Sequence, residues 1–458
     1  MYFLGRPVAL FSGMDLVTRV NNMEFTMTGA GTTEYDVGTN NNNNNNNKTK
    51  ETTKRPKGPK VFGSNNLMFE KNKARHLFLR QLIGSAMTPK ALVDALPTIQ
   101  QTAKDVIEQQ VLKPMMAQSA ATIKMEDVCV DYTMDIVRNQ LLGLQLAKEE
   151  ANDFREKLKD WMKGLFSIAA ILRIPFLVTR SKPYKAKVFI ESKLEEKIDS
   201  LLRDGPDSST LSNMVFAIDD DKQQLSREDV VQNALLLVSA GAETSAGTLT
   251  LAMLLLGVHP DKFRKLVQEQ QVVVENHGTQ LTPSILDKEC PYLDAVVKET
   301  LRIGPITGGF PRRVKDTFVI DGVQIPKDWS VFTSYRLTHQ LDPVTALPND
   351  AHMDVYQGFQ PDRWIDPATT PSDFVPFGAG PRFCLGYHLS MMEMKVFLAI
   401  FARSVTSFHL QNYSAETKRP IKWNPSTIIP RPTDGVELHS IVEMAAESST
   451  TCRPTTAS

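Results

Sequence analysis

The stretch FGAGPRFCLG, Phe377–Gly386, sets one thiol, Cys384, in a loop with Gly378, Gly380 and Gly386, two residues after Arg382. Thiolates are nucleophiles and metal ligands, so the setting of a lone cysteine decides its chemistry. A disulfide half needs neither an arginine nor three surrounding glycines. A zinc site calls for a second Cys or His within a few positions. His388 lies four residues on, but no close Cys or His pair follows. The loop instead predicts a backbone that comes very close to something flat.

Three other stretches carry groups able to do chemistry. AGAETSAG, Ala240–Gly247, interrupts the most apolar helical segment in the chain. A glycine there costs about 1 kcal/mol against alanine, and an unpaired buried carboxylate, here Glu243, costs more. Either the helix kinks around a satisfied glutamate, or the small residues have a geometric use. Ala240 and Gly241 lie four and three residues before Thr244, on one helical face. That leaves room beside the hydroxyl for a flat cofactor and a small ligand. In KETLR, Glu299 and Arg302 are spaced to pair along a helix. An exposed pair of that kind adds only about 0.2–0.5 kcal/mol. FQPDRW, Phe359–Trp364, lies in an irregular stretch and offers Arg363 as a second guanidinium for Glu299.

The elements that must hold these residues are mostly helical. Apolar periodicity predicts helices at 71–88, 91–113, 126–142, 149–166, 184–203, 226–257, 260–276, 292–303 and 387–403. Strands are predicted at 1–12, 314–326 and 329–334. Segment 226–257 opens on Ser226 with Asp229 three residues on, a capping-box start, and stops before His259-Pro260. At 1.5 Å per residue it spans roughly 48 Å. Its apolar residues lie nearly all round, so it should be buried. TFVIDGVQIPKDWSVF turns at Asp321-Gly322 and breaks at Pro326, which predicts a small hairpin or meander.

Composition agrees with a large soluble domain. The 458 residues are 41% hydrophobic and 23% charged, enough for a sizeable core. Lys plus Arg equal Asp plus Glu at 52 each, so no global charge draws the chain to nucleic acid. Cysteines 129, 290, 384 and 452 have no paired spacing and read as reduced thiols of an intracellular protein. Asn40–Asn47 and the basic KTKETTKRPKGPK form a low-complexity insertion within residues 30–60, and residues 446–458 read as a disordered tail. No run reaches the about 20 apolar residues of a bilayer span. Gly164–Val178 is broken by Arg173 and Pro175, and Leu235–Val258 by Glu243. The N-terminus lacks a signal-peptide layout and reads as two short strands around Gly5-Arg6-Pro7. A chain that opens in a strand leaves room for an anchor upstream.

Taken together and in this order, these stretches resemble the cytochrome P450 family of haem-thiolate monooxygenases, over residues 1 to about 440. The spacing of Phe377, Gly380, Arg382, Cys384 and Gly386 matches, as do the long-helix, Glu-x-x-Arg and aromatic-x-Pro-x-Arg motifs. The resemblance implies a mainly α fold with a small β region. It implies one large domain over 1–445, with haem b between the long central helix and the cysteine loop. Cys384 would be the axial thiolate on iron, with Phe377 beside the sulfur and Gly378 and Gly386 letting the backbone approach. Arg382 would meet a haem propionate. RHLFLRQLIGSAMTP adds His76 and Arg80 as further propionate partners, although many members carry tryptophan where His76 stands. GGFPRRV offers Arg312 or Arg313; the doubled arginine leaves the register open, with Arg312 preferred. Glu243 and Thr244 resemble the acid–alcohol pair that delivers protons to dioxygen. Neighbouring helical residues point about 100° apart, so Glu243 would act through water. Glu299, Arg302 and Arg363 resemble the structural triad on the proximal side.

Two stretches, GSNNLMFEKNKARHLFLRQLIGSAM and GPITGGFPRRVKDTFVIDGVQIPKDWSVFTSYRLTH, look most like the branch holding retinoic-acid, steroid and brassinosteroid hydroxylases. This implies insertion of one oxygen atom from O2 into an apolar isoprenoid, sterol or retinoid-like substrate. GAGPRFCLG lacks the G-x-G-x-x-G spacing of a nucleotide fingerprint. Electrons from NAD(P)H would then come through a separate cytochrome P450 reductase or ferredoxin, for which Lys71, Lys73 and Arg75 offer a steering patch. Two rival readings are a haem-thiolate isomerase or dehydratase acting on peroxides, and a non-catalytic haem-binding sensor. The acid–alcohol pair speaks against both. The resemblance further implies an intracellular monomer associated with the endoplasmic-reticulum membrane. In GLFSIAAILRIPFLVTRSKPYKAK, Gly164–Lys187, apolar residues such as Phe166 and Phe176 precede Arg180, Lys182, Lys185 and Lys187. That pattern suits a lid in peripheral contact with a membrane, and equally one that closes the pocket from above.

Overall fold

The computed structural model describes residues 2–3, 6–26, 28–30, 66–117, 122–164, 179–424 and 431–443. The Asn40–Asn47 run, the basic stretch after it, lid residues 165–178 and the C-terminal tail lie outside the described residues.

The long apolar segment forms one unbroken helix, Arg227–Val258. Ser226 Oγ accepts from the Asp229 N–H at 3.1 Å, and Asp229 accepts from the Ser226 N–H at 3.2 Å, the reciprocal bonds of a capping box. The helix stops at His259, whose ring meets the Val355 carbonyl at 2.8 Å, and Pro260 opens the next helix. By length and composition this helix is apolar enough to cross a membrane, but 78% of its most apolar window is buried inside the fold. Helices Met125–Ile136, Pro291–Ile303 and Tyr387–Ser404 pack against it and build one continuous apolar core.

Each predicted helical segment contains a helix, with different ends. Asn72 caps the first by accepting from the Arg75 N–H at 3.0 Å, so it runs Lys73–Ser85. Segment 91–113 divides: Leu96–Ile107 is α-helical, and a wider π-type turn at Glu108–Leu112 carries it on to Ala117. A second such turn, Val137–Leu141, ends the Met125–Ile136 helix. Helices Met14–Asn22, Thr210–Phe216, Pro283–Lys288 and Tyr335–Gln340 were not legible. None exceeds 9 residues, too short for the helical period to repeat clearly. Strands Val405–Leu410 and Glu437–Glu443 pair with each other across the intervening chain and also escaped the sequence reading.

The small β region is a five-stranded sheet in the order Tyr2–Phe3, Arg6–Phe11, Ser330–Ser334, Gly309–Val314, Thr28–Ala30. The predicted strand 314–326 is corrected: one strand begins earlier, at Gly309, and Phe318–Ile320 with Val323–Ile325 makes a separate hairpin. Its turn has Asp321 and Gly322 at φ 48° and 77°, which suits the Asp-Gly pair. In the large sheet Arg312 lies opposite Val331 and Arg313 opposite Ser330. Successive side chains alternate faces. Arg312 is therefore buried, whereas Arg313 points out to Asp328 at 2.9 Å.

Several surface cations are engaged within the fold. Lys182 pairs with Asp160 at 2.8 Å, and Lys187 is buried against Glu191. Arg75, offered above for partner steering, forms an ion pair with Asp229. The central capping box generates a prediction. Ser226→Ala should lower stability by about 1 kcal/mol without changing secondary-structure content. Urea unfolding followed by circular dichroism measures it, and an unchanged midpoint would show that the cap is dispensable.

Candidate active site

Cys384 ends a tight loop. Its N–H donates to the Phe377 carbonyl at 3.0 Å, which draws the two ends of the motif together. Gly378 and Gly380 have φ of 74° and 68°, the left-handed region that favours glycine. A Cβ would fall 2.7 Å from the Tyr335 hydroxyl at Gly378 and 2.8 Å from Asn22 Oδ1 at Gly380. Gly386 differs: a Cβ there would meet nothing within 4 Å, and its N–H donates to the Cys384 sulfur. Burial pushes the Cys384 thiol up, while that N–H and the Arg80 charge pull it the other way. Phe377 stands edge-on to Tyr387, with ring centres 4.9 Å apart.

The central helix is bared at its middle. Ala240 is exposed and Thr244 half-buried, whereas Val238, Ala242, Ser245 and Ala246 are buried. Thr244 Oγ1 donates back to the Ala240 carbonyl at 2.6 Å, a bond that competes with regular helix geometry. At Gly241 a Cβ would lie 3.5 Å from Leu141 and 3.7 Å from Val137, ordinary contact distances, so the packing there does not demand glycine. Glu243 is bound by the guanidinium of Arg431, which also holds Glu126 at 2.8 Å. Nothing in the sequence around Arg431 pointed to this role.

A second charged group is buried beside the loop. Helix Lys73–Ser85 carries His76 and Arg80 on one face. His76 is fully buried, yet neither ring nitrogen has a hydrogen-bond partner among the described residues. Burial first, then the charges of Arg382 and Arg80, push its pKa down to about 4, so the ring is neutral near pH 7. Arg312 arrives from the sheet and Arg382 from the cysteine loop. Both meet Glu24, at 2.7 Å and 3.2 Å. Arg382 also donates to the carbonyls of Leu67 at 2.7 Å, Met68 at 3.1 Å and Glu70. Glu24, which the sequence reading missed, thus lies against two arginines assigned there to propionates.

Glu299 and Arg302 are completely buried, which rules out the exposed pair. Arg302 donates to both Glu299 oxygens at 2.9 Å, and Arg363 Nε donates at 3.0 Å. Two donors not foreseen complete the shell: Trp364 Nε1 at 2.8 Å and the Gln360 N–H at 3.0 Å. Arg302 also reaches the carbonyls of His352 at 2.6 Å and Gly358 at 3.2 Å. The Arg302 carbonyl meets His339 Nδ1 at 3.0 Å, and His339 Nε2 accepts from the Val375 N–H at 3.0 Å. The triad is thereby tied to the cysteine loop, two residues before Phe377.

Comparison with known proteins gives this geometry a family. The cytochrome P450 family model matches residues 39–438. The chain belongs to the cytochrome P450 family. Cytochrome P450 26B1 of Xenopus tropicalis is 29% identical over 347 residues, covering 73% of this chain and 64% of the relative. Cytochrome P450 3A12 of Canis lupus familiaris is 28% identical over 376 residues, covering 77% of this chain and 71% of that one. A solved cyanobacterial CYP120A1 with retinoic acid bound superposes with a TM-score of 0.74 at 24% identity, covering 96% of this chain and 90% of the other. At that identity the likeness establishes the fold, a mainly helical cytochrome P450 fold.

Membership implies a haem iron, and the residues of this cytochrome P450 fit one. Among the described residues no group of three or more His, Cys, Asp or Glu could hold a metal ion. A single thiol suits an iron already held by a macrocycle. Gly386 offers open space and an N–H beside that thiol. The unpartnered His76 ring offers a buried polar contact for a carboxylate. The Glu299 shell generates the second prediction. Glu299→Gln leaves buried Arg302 and partly buried Arg363 with no anion, and should cost about 3–5 kcal/mol. Haem absorbance per polypeptide should fall sharply in the purified variant; full haem content with unchanged thermal stability would contradict it.

Proposed function

We propose that this cytochrome P450 is a haem-thiolate monooxygenase that inserts one oxygen atom from O2 into an apolar substrate of isoprenoid, sterol or retinoid type. The observation that carries the reading is Cys384, a thiol in a loop turned by Gly378 and Gly380 and closed by its N–H on the Phe377 carbonyl. Haem b, when bound, supplies the iron that activates dioxygen. Cys384 would hold that iron as a thiolate, its proton lost as coordinating thiols lose theirs. The Gly386 N–H then steadies the negative sulfur and tunes it, and Phe377, packed on Tyr387, closes the loop. Gly378 keeps the turn that brings these groups together.

Thr244 and Glu243 are the proposed proton carriers. The Thr244 hydroxyl, bonded to the Ala240 carbonyl, rotates to hand a proton to the reacting face and takes one from water. Glu243, once its pairing with Arg431 loosens, takes a proton from solvent and passes it as the carboxylic acid to that water, returning to the carboxylate. His76, Arg80 and Arg312, with Arg382, are the proposed partners of the haem propionates. Glu299, Arg302 and Arg363 hold the proximal scaffold.

Support for the substrate class comes from the resemblance to the retinoic-acid and steroid hydroxylase branch and from the retinoic acid bound to the similarly folded cyanobacterial protein. Electrons are proposed to pass from NAD(P)H through a cytochrome P450 reductase or ferredoxin docking on the cysteine side, where Lys71 and Lys73 are exposed. The proposed setting is an intracellular monomer, one domain over 1–445, in peripheral contact with the endoplasmic-reticulum membrane through the Gly164–Lys187 segment.

Two variants test the chemistry. Cys384→Ser should abolish the thiolate-type absorption band of the reduced carbon-monoxide complex, while Cys129→Ser and Cys290→Ser keep it. A band that survives Cys384→Ser removes this ligand. Thr244→Ala should keep haem and still consume reduced cofactor, but release more peroxide and less oxidised product. Unchanged coupling of electrons to product would exclude Thr244 from proton delivery. Turnover that persists without any reductase would favour the peroxide-rearranging reading instead.

A further inference from the structure

Three guanidiniums converge beside the cysteine loop. Arg312 and Arg382 act on each other by charge, and Arg382 and Arg80 both act on His76. Like charges at this depth repel and are costly to desolvate. Glu24 is the carboxylate buried between Arg312 and Arg382, its side chain wholly hidden from solvent. It lies two residues beyond the end of helix Met14–Asn22. Glu70, nearby, is turned to the Asn72 N–H at 2.7 Å.

We propose that Glu24 is a positioning residue of the haem site, a fixed internal anion that sets how many positive charges are left for the haem propionates. The inference rests on the haem-thiolate reading above. Glu24 neutralises one of these guanidiniums, and so lowers the positive charge left for the two carboxylates of haem b. The donors of Arg382 are all engaged: Nε and Nη2 on Glu24, Nη1 on the Leu67 and Met68 carbonyls, Nη2 also on that of Glu70. Arg382 therefore contributes charge and locks Glu24, while direct hydrogen bonds to carboxylates fall to groups still unengaged. His76 is the clearest of these, fully buried with both ring nitrogens unpartnered among the described residues.

A buried negative charge opposes the addition of an electron nearby. Glu24 should therefore hold the reduction potential of the haem down. The test compares haem-loaded wild type with Glu24→Gln, Glu24→Asp and the double variant Glu24→Gln/Arg382→Gln by potentiometric titration. Carbon-monoxide spectra serve as the control for intact thiolate ligation. Glu24→Gln should keep the thiolate band and shift the midpoint to more positive values. Glu24→Asp, which keeps the charge, should stay near wild type, and the double variant, which removes one charge of each sign, should return toward it. An unchanged midpoint in Glu24→Gln, or an equal shift in Glu24→Asp, overturns the proposal. If Glu24→Gln does not load haem, loading of Glu24→Asp at the wild-type midpoint supports it, and failure of both overturns it. A wild-type chain without the thiolate band would sink the haem-thiolate reading itself, a result distinct from any failure of Glu24.

Discussion

A carboxylate buried away from water must find all its hydrogen-bond donors inside the protein, and Glu299 finds five of them, from Arg302, Arg363, Trp364 and the Gln360 backbone. Desolvating an ion costs several kcal/mol, and the attraction of its partners offsets that only when every lone pair is met. Helix Pro291–Ile303 and the turn Pro361–Trp364 must therefore adopt one mutual register. The same Arg302 fixes the His352 and Gly358 carbonyls. Through His339 the constraint reaches Val375 and so the loop that presents Cys384. The thiol is placed by a buried ion cluster that never touches it.

The other buried ionic groups are balanced differently. Around Glu299 the donors and acceptors close on themselves, which suits a scaffold. Beside His76 they do not: two guanidiniums, of Arg312 and Arg382, share the Glu24 carboxylate, and the imidazole has no partner among the described residues. A site that leaves polar atoms unmet in a dry place is prepared for a ligand that meets them. Glu243 and Glu126 lie between these extremes, both held by Arg431 from the far end of the chain.

The central helix shows how a costly sequence is accommodated. Its glycine and glutamate suggested either a kink around a satisfied glutamate or a functional face; the glutamate is satisfied and there is no kink. The helix runs unbroken, with Glu243 satisfied by Arg431. At its middle the helix is least covered over Ser239–Gly241 and Glu243–Thr244, with Ala240 the one exposed residue there.

By itself the sequence determined what is local. Helical periodicity, the Ser226–Asp229 cap, the Asp321-Gly322 turn and the glycines about Cys384 are set by residues a few positions apart, whose spacing dictates which backbone they can adopt. It also brought Glu299 to Arg302, one turn along a helix. Only the tertiary structure decided the rest. Strand pairing turned Arg312 inward and Arg313 outward, because alternation along a strand depends on a register set by a neighbour far along the chain. Glu24 meets Arg382 across 358 positions and Glu243 meets Arg431 across 188. Such pairs have no spacing to read, since their energy comes from desolvation and Coulomb attraction that exist only once the core has closed around them.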